Sequence, residues 1–134
     1  MISADAYLGI CHSAARMAGW RLTDWVPASV TPSFHRAGLE RRGTYRVVAC
    51  HATVPLPAIG ESYAPRQAAT FTPASEPRLA AALTTVSRLR VLTAAELATP
   101  LASIDLSALA AAEHAQIAYW DPPDLAALVF NEWD

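Results

Sequence analysis

Apolar and polar positions divide the chain into a helical start, a strand-rich middle and a helical end. Near the start, Tyr7, Ile10, Cys11, Ala14 and Ala18 recur at helical spacing and leave Asp5, His12 and Arg16 on the other face. Ser3 stands at the N-cap, with Ile2 placed to staple against Tyr7. Gly19 supplies a left-handed stop, and Trp20 folds back on the last turn. The spacing predicts a helix capped by Ser3 and running to Ala18.

The middle reads differently. "TYRVVACHATV" (44–54) is apolar on both alternating faces and rich in β-branched residues, the pattern of a central strand. "GWRLTDWV" (19–26) and "RQAATFT" (66–72) read as weaker, half-exposed strands. "PLPAIGESYAPRQ" (55–67), with three prolines, reads as a long loop. Leu79, Leu83 and Val86 mark a helix from about Ser75, and "SRLRVL" (87–92) alternates Arg with aliphatic residues as a strand would.

Cap signals then recur at short intervals. Thr93-Ala-Ala-Glu96 is a capping box, with Leu92 and Leu97 as its staple. Asp105 reads as the cap of a helix from Leu106 to Trp120, and Asp121, followed by Pro122, as the cap of a last helix. Leu125, Leu128, Val129 and Trp133 share one face of that last helix. The expectation is a single small α+β domain: an N-terminal helix, a small, mainly antiparallel sheet and a helical C-terminal third.

Composition supports one globular domain. At 134 residues the chain is long enough to bury a core, with 53% hydrophobic and 16% charged residues. Arg without Lys, together with abundant Ala and Pro, suggests a GC-rich bacterial genome. No apolar stretch approaches the roughly 18–20 residues of a membrane span, and no basic segment precedes an apolar one at the start. A cytoplasmic protein is expected, with Cys11 and Cys50 reduced.

Charge changes the picture more. Net charge is only −2, which argues against a nucleic-acid binder, but it is unevenly spread. All ten arginines and five carboxylates precede residue 91; seven carboxylates and no arginine follow. The chain thus has a basic part (1–92) and an acidic helical part (93–134). Either the two close on each other within the fold, the reading favoured, or the acidic part faces a charged partner.

Candidate chemistry is sparse. The Cys11-His12 and Cys50-His51 dipeptides lack zinc-ligand spacing, and on a strand Cys50 and His51 point to opposite faces, so no metal or cofactor is expected. His51 shares a strand face with Tyr45, Val47 and Ala49. Glu113 falls within the expected apolar stripe Leu106, Leu109, Ala110, Ile117 and Trp120, and calls for a cation such as Arg46, Arg88 or Arg90. His35, Arg36, Arg41, Arg42 and Arg46 form a basic, glycine-bearing segment suited to an anion.

Two functions remain. One is a non-enzymatic accessory protein, antitoxin-like or immunity-like, that meets a protein partner through its acidic helices and its aromatic C-terminus, with Phe130 and Trp133 in contact. The other is a small enzyme or ligand-binding domain. Its anion-accepting pocket would lie near His51, Glu113 and Arg46, with His51, Glu113 and His35 as candidate catalytic groups and Tyr119 and Trp120 among the lining residues. The first is preferred because no catalytic constellation is legible.

Overall fold

The computed structural model describes residues 1–29, 33–63 and 71–130. It has one open five-stranded antiparallel sheet in meander order, with an N-terminal helix and a helical C-terminal part. The elements are α1 (Ala4–Ala18), β1 (Arg21–Val26), β2 (Phe34–Arg41), β3 (Thr44–His51), β4 (Ala58–Tyr63), β5 (Phe71–Pro73), α2 (Pro77–Ser87), α3 (Ala94–Leu97), α4 (Ala111–Trp120) and α5 (Leu125–Val129). No helix among the described residues is long and apolar enough to cross a membrane.

Helix α1 forms as its sequence demands. The Ser3 hydroxyl accepts the Ala6 N–H at 3.2 Å, and Gly19 closes the helix at φ 80°. Trp20 folds back, its N–H donating to the Ala15 carbonyl at 2.8 Å. Tyr7, Cys11, Ala14, Ala15 and Ala18 are buried on one face.

Strand parity then decides what each sheet residue meets. His35, Ala37, Leu39 and Arg41 of β2 share a face with Thr44, Arg46, Val48 and Cys50 of β3. The apolar members join Ile59 against α1 and α2 to form the larger core. The opposite face carries Phe34, Val47, Ala49, Ala58 and Phe71. These are covered by Leu92, Leu97, Ala126 and Phe130 from α3, α5 and their flanks. Each fully buried large side chain contributes about 1.5–3 kcal/mol.

Several elements depart from the sequence reading. Of the basic segment, for which no strand was expected, residues 34–41 are strand β2, and only Arg42 and Gly43 turn. Part of the expected loop is strand β4, where Gly60 is required because a Cβ would lie 2.8 Å from the Phe71 ring. Of the strand expected over 66–72, residues 71–73 form β5, and 66–70 lie outside the described residues. Residues 87–92 form no strand. Helix α2 continues through the β-branched Thr84 and Thr85, Arg88 ends it at φ 62°, and Leu92 makes one isolated bridge to Ala58.

Cap positions also shift. The Thr93–Glu96 capping box forms as expected. Asp105 starts no helix; its carboxylate accepts the Ser107 N–H at 3.0 Å in a local turn, and α4 begins only at Ala111. Asp121 is a C-cap rather than an N-cap, left-handed at φ 48°. Asp124 caps α5 instead, accepting the Ala127 N–H at 2.9 Å.

Candidate functional site

The late start of α4 relocates Glu113. It lies in the first turn, exposed, and its carboxylate accepts the Ala110 N–H at 3.2 Å. Ala110 has no polar side chain to reciprocate, so the contact is half of a capping box. The expected pairing of Glu113 with an arginine is not found. Ion pairs between described residues are Arg21–Glu40, Arg46–Glu76 and Arg90–Glu96. None joins the arginines of the sheet to the helices beyond residue 100. Of the expected closure of the basic part on the acidic part, Arg90–Glu96 is the one ion pair between described residues that joins the two, and Asp105, Glu113 and Asp121 face solvent.

With Glu113 at the surface, α4 buries only Ile117. Ala112, Ala115, Gln116, Tyr119 and Trp120 line a shallow open groove of about 560 Å³. Their spacing, i, i+3, i+4, i+7 and i+8, is that of one helix face, here turned outward. Tyr119 is 80% exposed and Trp120 47%. The two rings hold each other edge to face at 5.1 Å, and the Trp120 indole N–H donates to the Gln116 amide oxygen at 2.8 Å. An exposed aromatic pair already held in place loses little freedom on binding. Glu113 and Asp121 put negative charge beside it.

The aromatic C-terminus divides differently from expectation. Phe130, placed at a partner surface by the sequence reading, is fully buried. It meets Phe34 edge to face at 5.4 Å and stacks on Phe71 at 4.6 Å. Trp133 lies outside the described residues.

A second feature lies at the β2–β3 hairpin. Arg41 and Arg46 share the helix-side face of the sheet, and with Trp20, Arg42, Thr44 and Glu76 they line a cleft of about 310 Å³. Arg46 Nε donates to Glu76 Oε2 at 3.0 Å, and one terminal N–H of Arg46 donates to the Tyr45 carbonyl at 2.9 Å. Glu76 stands at the N-cap of α2 but makes no capping bond, because its carboxylate is turned to Arg46. Among the described residues, neither Arg41 nor Arg42 has a carboxylate within 4 Å. Arg36 belongs to the opposite face, across from Ala49, so parity separates it from the other three. On that face the Tyr45 hydroxyl donates to Asp24 at 3.1 Å above Gly38.

Both candidate histidines are held by the fold. His35 is buried in a three-ring cluster with Tyr7 and Trp25, stacked on each at about 6 Å, while those two rings lie 6.2 Å from each other. Its Nδ1 accepts the Ala28 N–H at 2.9 Å, which assigns the proton to Nε2, donated to the Ile2 carbonyl at 3.0 Å. His51 ends β3, where Nδ1 accepts the Thr53 N–H at 3.2 Å and Nε2 meets the Ser33 hydroxyl at 3.0 Å. Burial, and then the nearby His35, hold the His51 pKa below the usual histidine range. Arg46 and His51, five residues apart on β3, point to opposite faces, and Glu113 stands on α4. The three do not meet in one pocket.

Burial raises the pKa of both thiols, Cys11 and Cys50, to about 12. The Tyr7 hydroxyl is buried with no hydrogen-bond partner among the described residues. No group of three or more metal-ligating side chains occurs among the described residues. No protein-family model, curated protein or solved structure matches the chain, so no site is carried over from a relative.

Proposed function

We propose that this chain is a non-enzymatic interaction protein of the bacterial cytoplasm, an accessory factor of antitoxin-like or immunity-like type. It docks α4 into an apolar groove rimmed by basic residues on a protein partner. The observation that carries this reading is the outward stripe Ala112, Ala115, Gln116, Tyr119 and Trp120, which has the anchor spacing of helix-in-groove recognition. The carboxylates of Glu113 and Asp121 beside it specify the sign of the partner's rim. The acidic third carries charge that the described ion pairs leave uncompensated, which favours a partner over internal closure. The two free, buried cysteines fit a reducing compartment.

The test places a photo-crosslinking residue at Ala115 or Ala118 in native cells. Ala118 lies off the stripe and serves as control. The expected result is one protein adduct from position 115 and none from 118. That adduct should be lost in the Trp120→Ala variant and reduced in roughly 1 M salt, where the screening length falls to about 3 Å. Equal adducts from both positions, or adducts only with a second copy of the chain, overturn the reading.

A further inference from the structure

We infer that the cleft lined by Trp20, Arg41, Arg42, Thr44, Arg46 and Glu76 is a binding site for a small molecule bearing a diphosphate. It is independent of docking through α4. The first ground is charge. Three arginines, Arg41, Arg42 and Arg46, line one space with a single carboxylate, that of Glu76, which pairs with Arg46. Arg41 and Arg42 have no ion-pair partner among the described residues. The cleft therefore has an excess of two positive charges, which a single monoanion would not balance. Arg forks match phosphate oxygens two at a time. The Thr44 hydroxyl adds a donor and Trp20 an apolar wall. A volume of about 310 Å³ is at the low end for small-molecule sites, about 300–1,000 Å³, and leaves room for a small organic group beside the phosphates.

The second ground is backbone conformation. Arg42 and Gly43 turn the hairpin at φ 50° and 82°, the two-residue loop in which both positions are left-handed. Asn or Asp would suit the first of these positions, and Arg is strained there. No ion pair between described residues compensates that strain, since Glu40, the nearest candidate, binds Arg21 and the Gly43 N–H. A costly residue that lines a cleft points to work done by its side chain. Glu76 then acts as the internal competitor, holding Arg46 until a stronger anion takes it.

Isothermal titration of the full chain with inorganic pyrophosphate, and separately with malonate, tests this. Pyrophosphate should bind one to one and more tightly than malonate. Arg41→Ala and Arg42→Asn should each weaken it roughly ten- to a hundredfold, the loss of one charge-assisted contact. Arg42→Asn should also raise the melting temperature, which excludes misfolding as the cause of lost affinity. Glu76→Gln keeps the hydrogen bond to Arg46 but drops the competing charge, and should bind more tightly than wild type. Arg36→Ala, on the other sheet face, should bind as wild type. The inference is overturned by any of three results: no saturable binding of pyrophosphate, equal losses for Arg36→Ala and Arg42→Asn, or tighter binding of malonate.

Discussion

Replacing Phe130 by Ala separates the two aromatic sets of the C-terminal third. Phe130 is fully buried, packed edge to face on Phe34 and stacked on Phe71, and it fixes α5 to the outer face of the sheet. Truncating a buried Phe removes its transfer free energy and leaves a cavity, at a cost of about 3–5 kcal/mol. A chain of this length has a total stability of roughly 7–20 kcal/mol. With a urea m-value of about 2 kcal/mol/M, the unfolding midpoint should fall by roughly 2 M. Far-UV circular dichroism during a urea titration reads this directly. Trp120→Ala, on the exposed helix, should stay within about 0.5 kcal/mol of wild type. A Phe130→Ala midpoint equal to wild type would refute the assignment of Phe130 to the core. So would a Trp120→Ala loss of the same size, because the outward face of α4 would then be structural.

Further outcomes follow from single groups. Gly60→Ala forces a Cβ against the Phe71 ring and the Thr72 carbonyl at 2.8–2.9 Å and should cost about 1–3 kcal/mol, whereas Gly38→Ala displaces side-chain ends of Asp24 and Tyr45 and breaks their exposed hydrogen bond, at about 0.5–1.5 kcal/mol; paired thermal melts check both. His51 has a folded-state pKa below its unfolded value. Its contribution to stability is therefore complete above about pH 6.5 and is lost as pH falls through the lower folded value. Urea midpoints across that range should fall more steeply for wild type than for His51→Asn. With both thiols raised to about 12, iodoacetamide should leave Cys11 and Cys50 unmodified in the native chain and alkylate both in urea; mass spectrometry counts the adducts.

Helix α1 was legible because its cap, apolar face and glycine stop agree on one answer. The capping box at Thr93 was equally clear, since it needs only four residues to define it. Elsewhere one side-chain type serves opposite ends. An aspartate accepts a backbone N–H before a helix or in a turn, and also tolerates the left-handed position that ends one. Asp105, Asp121 and Asp124 take three different roles that their sequence does not separate. Strand β2 was hidden because its inward residues Ala37 and Leu39 alternate with Arg36, Gly38 and Glu40 on a partly open face. Strand β4 was hidden by neighbouring prolines and Gly60, a residue usually read as a breaker but here making room for a ring.

The candidate sites were half legible for the same reason. The run of arginines was visible, but only strand parity shows that Arg41 and Arg46 converge while Arg36 does not. Tyr119 and Trp120 stand out in the sequence as aromatic candidates, but nothing there gives their setting. Alanines at 111, 112, 115 and 118 fit either a buried or an exposed helix face, so periodicity does not tell which side of α4 is buried. Moving the helix start from Leu106 to Ala111 took Leu106 and Leu109 out of the stripe and left the aromatic pair outside.

The most direct measurement is the affinity of the crosslinked partner, once purified, for the wild-type chain and for the Tyr119→Ala, Trp120→Ala double variant. Two lost hot-spot residues at about 2 kcal/mol each should weaken binding by roughly a hundredfold or more, with an unchanged melting temperature. An equal dissociation constant for the two chains would contradict docking through α4.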